Sequence, residues 1–191
     1  MVTILYAWST VRATADNAAA AKSSAKAIML AERAYLTAKK SDFIISADGL
    51  ITYDFTVRNE GKTPATVLGG RYAVAIGGTI DAPPPMPGYA TPIAPLFLVP
   101  THHITERHNP IGIGADTMIE VHSRSRQLWL MAFVDYKDQF GDFHRFGYGR
   151  RFDATKNELA FDASRGCASL NYDRPLTQDE KRSYPDRLPQ A

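Results

Sequence analysis

From residue 34 onward the chain alternates apolar and polar positions in short runs broken by Gly, Pro, Asn and Asp. Residues 50–58 are the clearest case. Ile51, Tyr53, Phe55 and Val57 fall on one face of an extended segment, and Thr52, Asp54, Thr56 and Arg58 on the other. This period of two is that of a half-buried antiparallel strand. Runs of the same kind predict strands over 34–39, 43–47, 50–58, 66–76, 97–107, 117–123, 128–136 and 143–152, with a short addition at 159–161. Trp129, Met131 and Phe133 interleave with Leu130, Ala132 and Val134, so both faces of that strand are apolar and it is predicted to be central. It is followed by the loop 137–142 and by alternating His144, Phe146, Tyr148, Arg150 and Phe152, the strongest hairpin signal in the chain. Strands at this spacing, with no amphipathic helix among them, predict a mainly β chain. The expected fold is an antiparallel immunoglobulin-like β-sandwich over 34–165.

The first third follows another pattern. Residues 9–36 are rich in alanine and contain neither Gly nor Pro, which predicts a long N-terminal helix over 1–33. Apolar side chains larger than alanine are few before Ile28, Met29 and Leu30, so this helix has little to bury against a core. One reading makes it a juxtamembrane stalk, with MVTILYAW as the end of a membrane span and Tyr6 and Trp8 near the interface. The other makes it an oligomerisation helix, with a seam through Val11, Ala15, Ala18 and Ala25. The stalk is the first expectation. MVTILYAW is shorter than the ~20 residues a spanning helix needs. The stalk reading therefore expects an internal start or a truncated N-terminus; were the segment complete, the chain would be soluble.

Two further stretches break the alternation. Residues 81–100 hold seven prolines, which excludes helix and central strand and predicts an extended loop. Residues 166–191 are polar, mixed in charge and interrupted by proline, and are expected to be a largely irregular tail. Charge changes this picture little. The net value is +2, with residues 1–40 at +4 and the rest at −2, so no overall field calls for nucleic acid. Arg145, Arg150 and Arg151 share one strand, but Asp142 and Asp153 flank them; they read as a solvated sheet face. Cys167 is the single cysteine, which excludes an internal disulfide.

Candidate chemistry is sparse. Gly61-Lys62-Thr63 imitates the end of a phosphate-binding loop, but Thr56 stands where its first glycine should be and Pro64 where its helix should open. The segment reads as a turn, with Asn59 and Gly61 supplying tolerance of positive φ and Pro64 stiffening the exit. In the late hairpin Asp138 and Asp142 are expected to cap the loop, Gly141 to take its left-handed position, and His144 to pair across the strands. His102, His108 and His144 are the candidate metal ligands, with His102 and His103 on opposite faces of an extended segment. No acid, base and nucleophile converge, and no cofactor motif is present, so the expectation is a non-enzyme without cofactor.

Three motifs occur in order: AERAYL at 31–36, VRNEGKTPA at 57–65 and VDYKDQFGDFHRF at 134–146. Together they resemble a group of uncharacterised bacterial membrane-anchored proteins, in which one or two N-terminal transmembrane helices precede a small immunoglobulin-like β-sandwich. The resemblance implies a membrane-tethered protein-interaction or structural module, on either face of the membrane, with an unidentified protein partner and a possible homo-oligomer through the helix. It implies no activity and no site. Gly147 departs from the pattern, which would place a cysteine shortly after the histidine. The alternative expectation is a soluble ligand- or metal-binding domain using the region of His102, His108 and His144.

Overall fold

The computed structural model describes residues 2–39, 43–46, 49–79, 81–107, 111–156, 158–160 and 165–184. The chain divides into two compact units, Met1–Arg33 and Ala34–Ala191. The first is a single helix, α1 (Val2–Glu32). Its described side chains from Arg12 to Ala31 are all exposed. Among the described residues no helix is long and apolar enough to cross a membrane.

The second unit is mainly β, and all of its strand pairs are antiparallel. One sheet is built on β3 (Leu50–Asn59). The registers place β1 (Leu36–Lys39) and β2 (Phe43–Ile45) along one side of it, and β7 (His103–Arg107) and β8 (Ile111–Gly112) along the other. The second sheet is built on three long strands, β4 (Ala65–Ile76), β9 (Leu128–Asp138) and β10 (Phe143–Asp153). Its outer strands are β5 (Thr91–Ile93) and β6 (Leu96–Leu98) beside β4, and β11 (Glu158–Ala160) and β12 (Tyr172–Pro175) beside β10. Every flank is thus a pair of short strands, a form that limits edge-to-edge aggregation.

The alternation of residues 50–58 decides which face of β3 is inside: Ile51, Tyr53, Phe55 and Val57 are at most 1% exposed. They share a core with Tyr72 and Val74 of β4, Leu128, Leu130, Val134 and Tyr136 of β9, and Phe146 and Tyr148 of β10. Aromatic rings join the two sheets. Tyr53 meets Tyr72 edge-on at 5.9 Å, Phe55 stacks on Tyr72 at 5.6 Å, and Phe55 lies 5.7 Å from Tyr148. Each large apolar side chain so buried stabilises the fold by roughly 1.5–3 kcal/mol. The other face of β9 is covered too, since Trp129 and Met131 pack with Ala75, Met86 and Leu170. This is why both of its faces are apolar.

Several expectations need correction. Residues 117–123, read as a strand, belong to helix α2 (Ala115–His122). Its Met118 and Val121, three apart, lie on the core side, while Asp116 stands in the first turn, where the helix dipole favours a carboxylate. The stretch 97–107 is not one strand, because β6 pairs with β4 and β7 with β3. The chain crosses between the sheets at Thr101, which takes φ 67°. The proline-rich segment 81–100 contributes β5 and β6 despite its prolines, since outer strands tolerate a missing N–H. The tail expected to be irregular over 166–191 contains α3 (Arg165–Leu170), β12 and α4 (Gln178–Arg182). Polar composition suggested disorder there, but specific ion pairs hold it to the sheet. Residues 185–191 of that tail lie outside the described residues.

Candidate functional site

Asn59 ends β3 and is fully buried. Its backbone N–H donates to His102 O at 3.1 Å and its carbonyl accepts from Thr101 N at 2.8 Å. Its side-chain Nδ2 donates to Thr63 O at 2.8 Å and Leu98 O at 3.0 Å, and its Oδ1 accepts from Gly61 N at 3.0 Å and Tyr35 N at 3.4 Å. One amide thus ties together both inter-sheet crossings, 59–65 and 98–103, and the entry to β1. Neither Asn59 nor Gly61 has a positive φ, contrary to the expectation from sequence. Asn59 is needed there for its side-chain donors and acceptor, and the N–H of Gly61 is one of its partners. Pro64 leads directly into β4.

The β9–β10 hairpin is closed by Asp138. Its Oδ1 accepts from Phe140 N at 2.9 Å and Asp142 N at 3.0 Å, and its Oδ2 lies 3.1 Å from His144 Nε2. Asp142 takes part through its backbone, its carbonyl accepting from Asp138 N at 3.0 Å. Gly141 takes φ 90°, a conformation that strongly favours glycine. His144 stacks on Tyr136, its cross-strand neighbour, at 5.1 Å. Donor atoms of Asp138, Asp142 and His144 lie within 4.8 Å of one another. The Asp138 carboxylate, however, is already engaged by two loop N–H groups and the imidazole. The geometry is that of a locked hairpin, and a cation would have to displace those bonds.

Of the histidines proposed together from sequence, His102 and His144 do not come together in a metal-ligand group among the described residues. His102 is exposed and its Nδ1 lies 3.2 Å from Pro100 O. His103 opens β7 opposite Arg58. His108 lies outside the described residues, and Cys167 falls in α3. Among the described residues, His144 alone of the histidines joins a group with metal-ligand spacing.

Sequence reasoning missed a polar assembly that fastens the C-terminal segment over the second sheet. Asp135 of β9 is fully buried. It receives two bonds from Arg145, Nε at 2.6 Å and Nη2 at 2.8 Å, and one from the Tyr184 hydroxyl at 2.6 Å. Arg145 Nη1 also donates to Glu180 at 2.7 Å, and Arg174 of β12 donates twice to the same carboxylate, at 2.7 and 2.8 Å. The Arg145 guanidinium lies 4.3 Å above the Phe133 ring. The Arg174 hydrogen bonds hold the Glu180 carboxyl well below its ordinary pKa. Burial, and then the bond to Asp135, push the Tyr184 phenol up. Arg145 and Arg150 are therefore not members of a solvated face; Arg150 donates to Asn171 at 2.9 Å and lies over the Tyr148 ring. A legible signal did exist. Thr177-Gln-Asp-Glu180 has capping-box spacing, and α4 carries both bonds of that box.

Gly147 and Gly149 admit this segment. A Cβ on Gly147 would lie 2.5 Å from the Tyr172 ring, and one on Gly149 would lie 2.4 Å from the Leu170 side chain. The missing cysteine at 147 thus coincides with a C-terminal segment packed directly against β10.

No protein-family model matches this chain, and no curated protein matches it. Among solved structures it is similar to a protein from Archaeoglobus fulgidus, at 16% identity and a TM-score of 0.33, over 61% of this chain and 96% of that one.

Proposed function

We propose that this chain is a non-catalytic interaction module, an immunoglobulin-like β-sandwich preceded by a helical tether that holds it at a bacterial membrane. The observation that carries this reading is α1. It spans 31 residues, and its described side chains from Arg12 to Ala31 are exposed, including Ile28 at 63%, Met29 at 41% and Leu30 at 56%. A helix draws most of its stability from a packed face, so one with exposed apolar residues calls for lipid or another helix. The +4 charge of residues 1–40 suits an anionic membrane surface. The resemblance of the three ordered motifs to those of the membrane-anchored group supports the same reading. Tyr89 and Phe97, 68% and 64% exposed in the proline-rich segment, are the contacts offered to a protein partner. The buried acids and bases are engaged in holding the fold, which favours binding over catalysis.

Membrane fractionation of the native gene product tests this, combined with protease accessibility of the β unit from each side. Extraction only by detergent supports the tether and identifies the compartment of the partner. Release by salt or alkali overturns it and leaves α1 as an oligomerisation helix.

A further inference from the structure

Near the β9–β10 hairpin, the registers of the second sheet align residues from four strands in one row: Phe97 of β6 opposite Thr66 of β4, Thr66 opposite Lys137 of β9, and Lys137 opposite Phe143 of β10. Their chain neighbours Leu98, Val67, Tyr136 and His144 are buried, so the alternation of a strand turns the row to the outer face. Phe97 is 64% exposed, and Thr66, Lys137 and Phe143 are half-buried. Lys181 of α4, also half-buried, joins the row at its end. Its Nζ lies 5.5 Å from the centre of the Phe143 ring, and Lys137 Nζ lies 5.3 Å from the same ring.

These two lysines differ from the cations around them. Arg145 and Arg174 are paired with Glu180, and Arg182 with Asp179. Asp142, which precedes Phe143, turns its carboxylate towards Asp138 and His144, within 4.8 Å. Among the described residues no carboxylate forms an ion pair with Lys137 or Lys181. A ring occupies one side of an ammonium group that carries three donors, so both lysines keep donors for an anion.

We infer that this row docks a short acidic segment of the protein partner, with an apolar side chain on Phe97 and carboxylates on Lys137 and Lys181. Strands lie ~4.8 Å apart, which puts Lys137 roughly 10 Å and Phe143 roughly 14 Å from Phe97, while alternate side chains of an extended peptide recur about every 6.8 Å. An apolar residue at the first position therefore brings acids at the third and fifth within reach of the two lysines. Two lysines suit two carboxylates, whereas a nucleic-acid strand calls for a longer basic track. The assignment rests on the reading of this chain as an interaction module and not on its membrane tether, so release of the chain by salt or alkali would leave it untouched.

The test is fluorescence anisotropy of a dye-labelled, amidated peptide of sequence FSDSD titrated with the full chain at constant ionic strength. Saturable binding is expected, weakened at least tenfold when both aspartates are replaced by asparagine (FSNSN). Lys137→Gln and Lys181→Gln together should weaken it at least tenfold, and Phe97→Ala at least fivefold, with the circular dichroism spectrum unchanged. The lysine variants leave the core untouched and decide alone should Phe97→Ala fail to fold. Absence of saturable binding, equal affinity for FSNSN, or undiminished binding by the double lysine variant would each overturn the assignment. Tighter binding of a five-nucleotide oligothymidylate than of FSDSD would overturn it too, and would make the row a nucleic-acid surface.

Discussion

Asn59 shows how much one buried amide can decide. Its side chain serves two donors and two acceptors across three chain segments, so truncation leaves several buried groups unsatisfied at ~1–3 kcal/mol each. Asn59→Ala is expected to lower unfolding free energy by roughly 2–4 kcal/mol in urea titration. Loss of less than about 0.5 kcal/mol, the range of an indifferent surface change, would contradict its bridging role. Gly147 is decided by space instead of hydrogen bonding. Gly147→Ala should destabilise by ~1–3 kcal/mol through overpacking against Tyr172, whereas Gly88→Ala, with nothing within 4 Å of its added Cβ, should not. The two residues differ in legibility. Asn59 stood out in the sequence as a turn residue, yet its reason for being there, a set of partners up to 39 residues away, was not visible. Gly147 stood out only as a departure from a motif.

At the scale of elements, the C-terminal segment depends on charge. Removing one member of a buried, hydrogen-bonded ion network costs more than the network contributes, since its partner remains desolvated. Arg145→Met is therefore expected to cost roughly 3–5 kcal/mol and to make residues 165–184 the first site of limited proteolysis. Proteolysis unchanged from the wild type would contradict the clamp. Its pH dependence has a definite sign. The folded-state pKa of Glu180 lies below its ordinary value of 4.5, chiefly through Arg174. Its contribution is thus present above pH 4.5 and is lost as pH falls through the lowered value. The melting-temperature gap between wild type and Glu180→Gln should be wide at neutral pH and should shrink progressively under acid. A gap that widens on acidification would reverse that assignment. The same segment was expected to be irregular because local composition has no term for a pairing between residues 135 and 184. Residues 117–123 went wrong for a related reason: a short alternating run of seven residues also has the three-residue apolar spacing that α2 uses.

At the scale of the whole molecule, two compact units make a simple expectation. Deleting residues 1–33 should leave the melting temperature of the β unit unchanged, because its core draws on residues from 34 onward. The deletion should at the same time abolish membrane association or self-association, measured by flotation and by sedimentation. A marked fall in melting temperature would show that α1 supports the β unit. Zinc, copper or chelator should leave that temperature unchanged as well, since the Asp138 carboxylate is already bonded to loop N–H groups and His144; a rise with metal would restore the metal-binding alternative.

The sequence by itself determined the long helix, the mainly β second unit and the inward face of its principal strands. Those follow from alanine propensity and period-two alternation, which act between near neighbours. Tertiary structure alone decided that the crossings between sheets meet at Asn59 and that the polar tail folds against the second sheet. Each of these depends on partners distant in the chain, and an ion pair or a buried amide is stable only once the surrounding fold has excluded water from it.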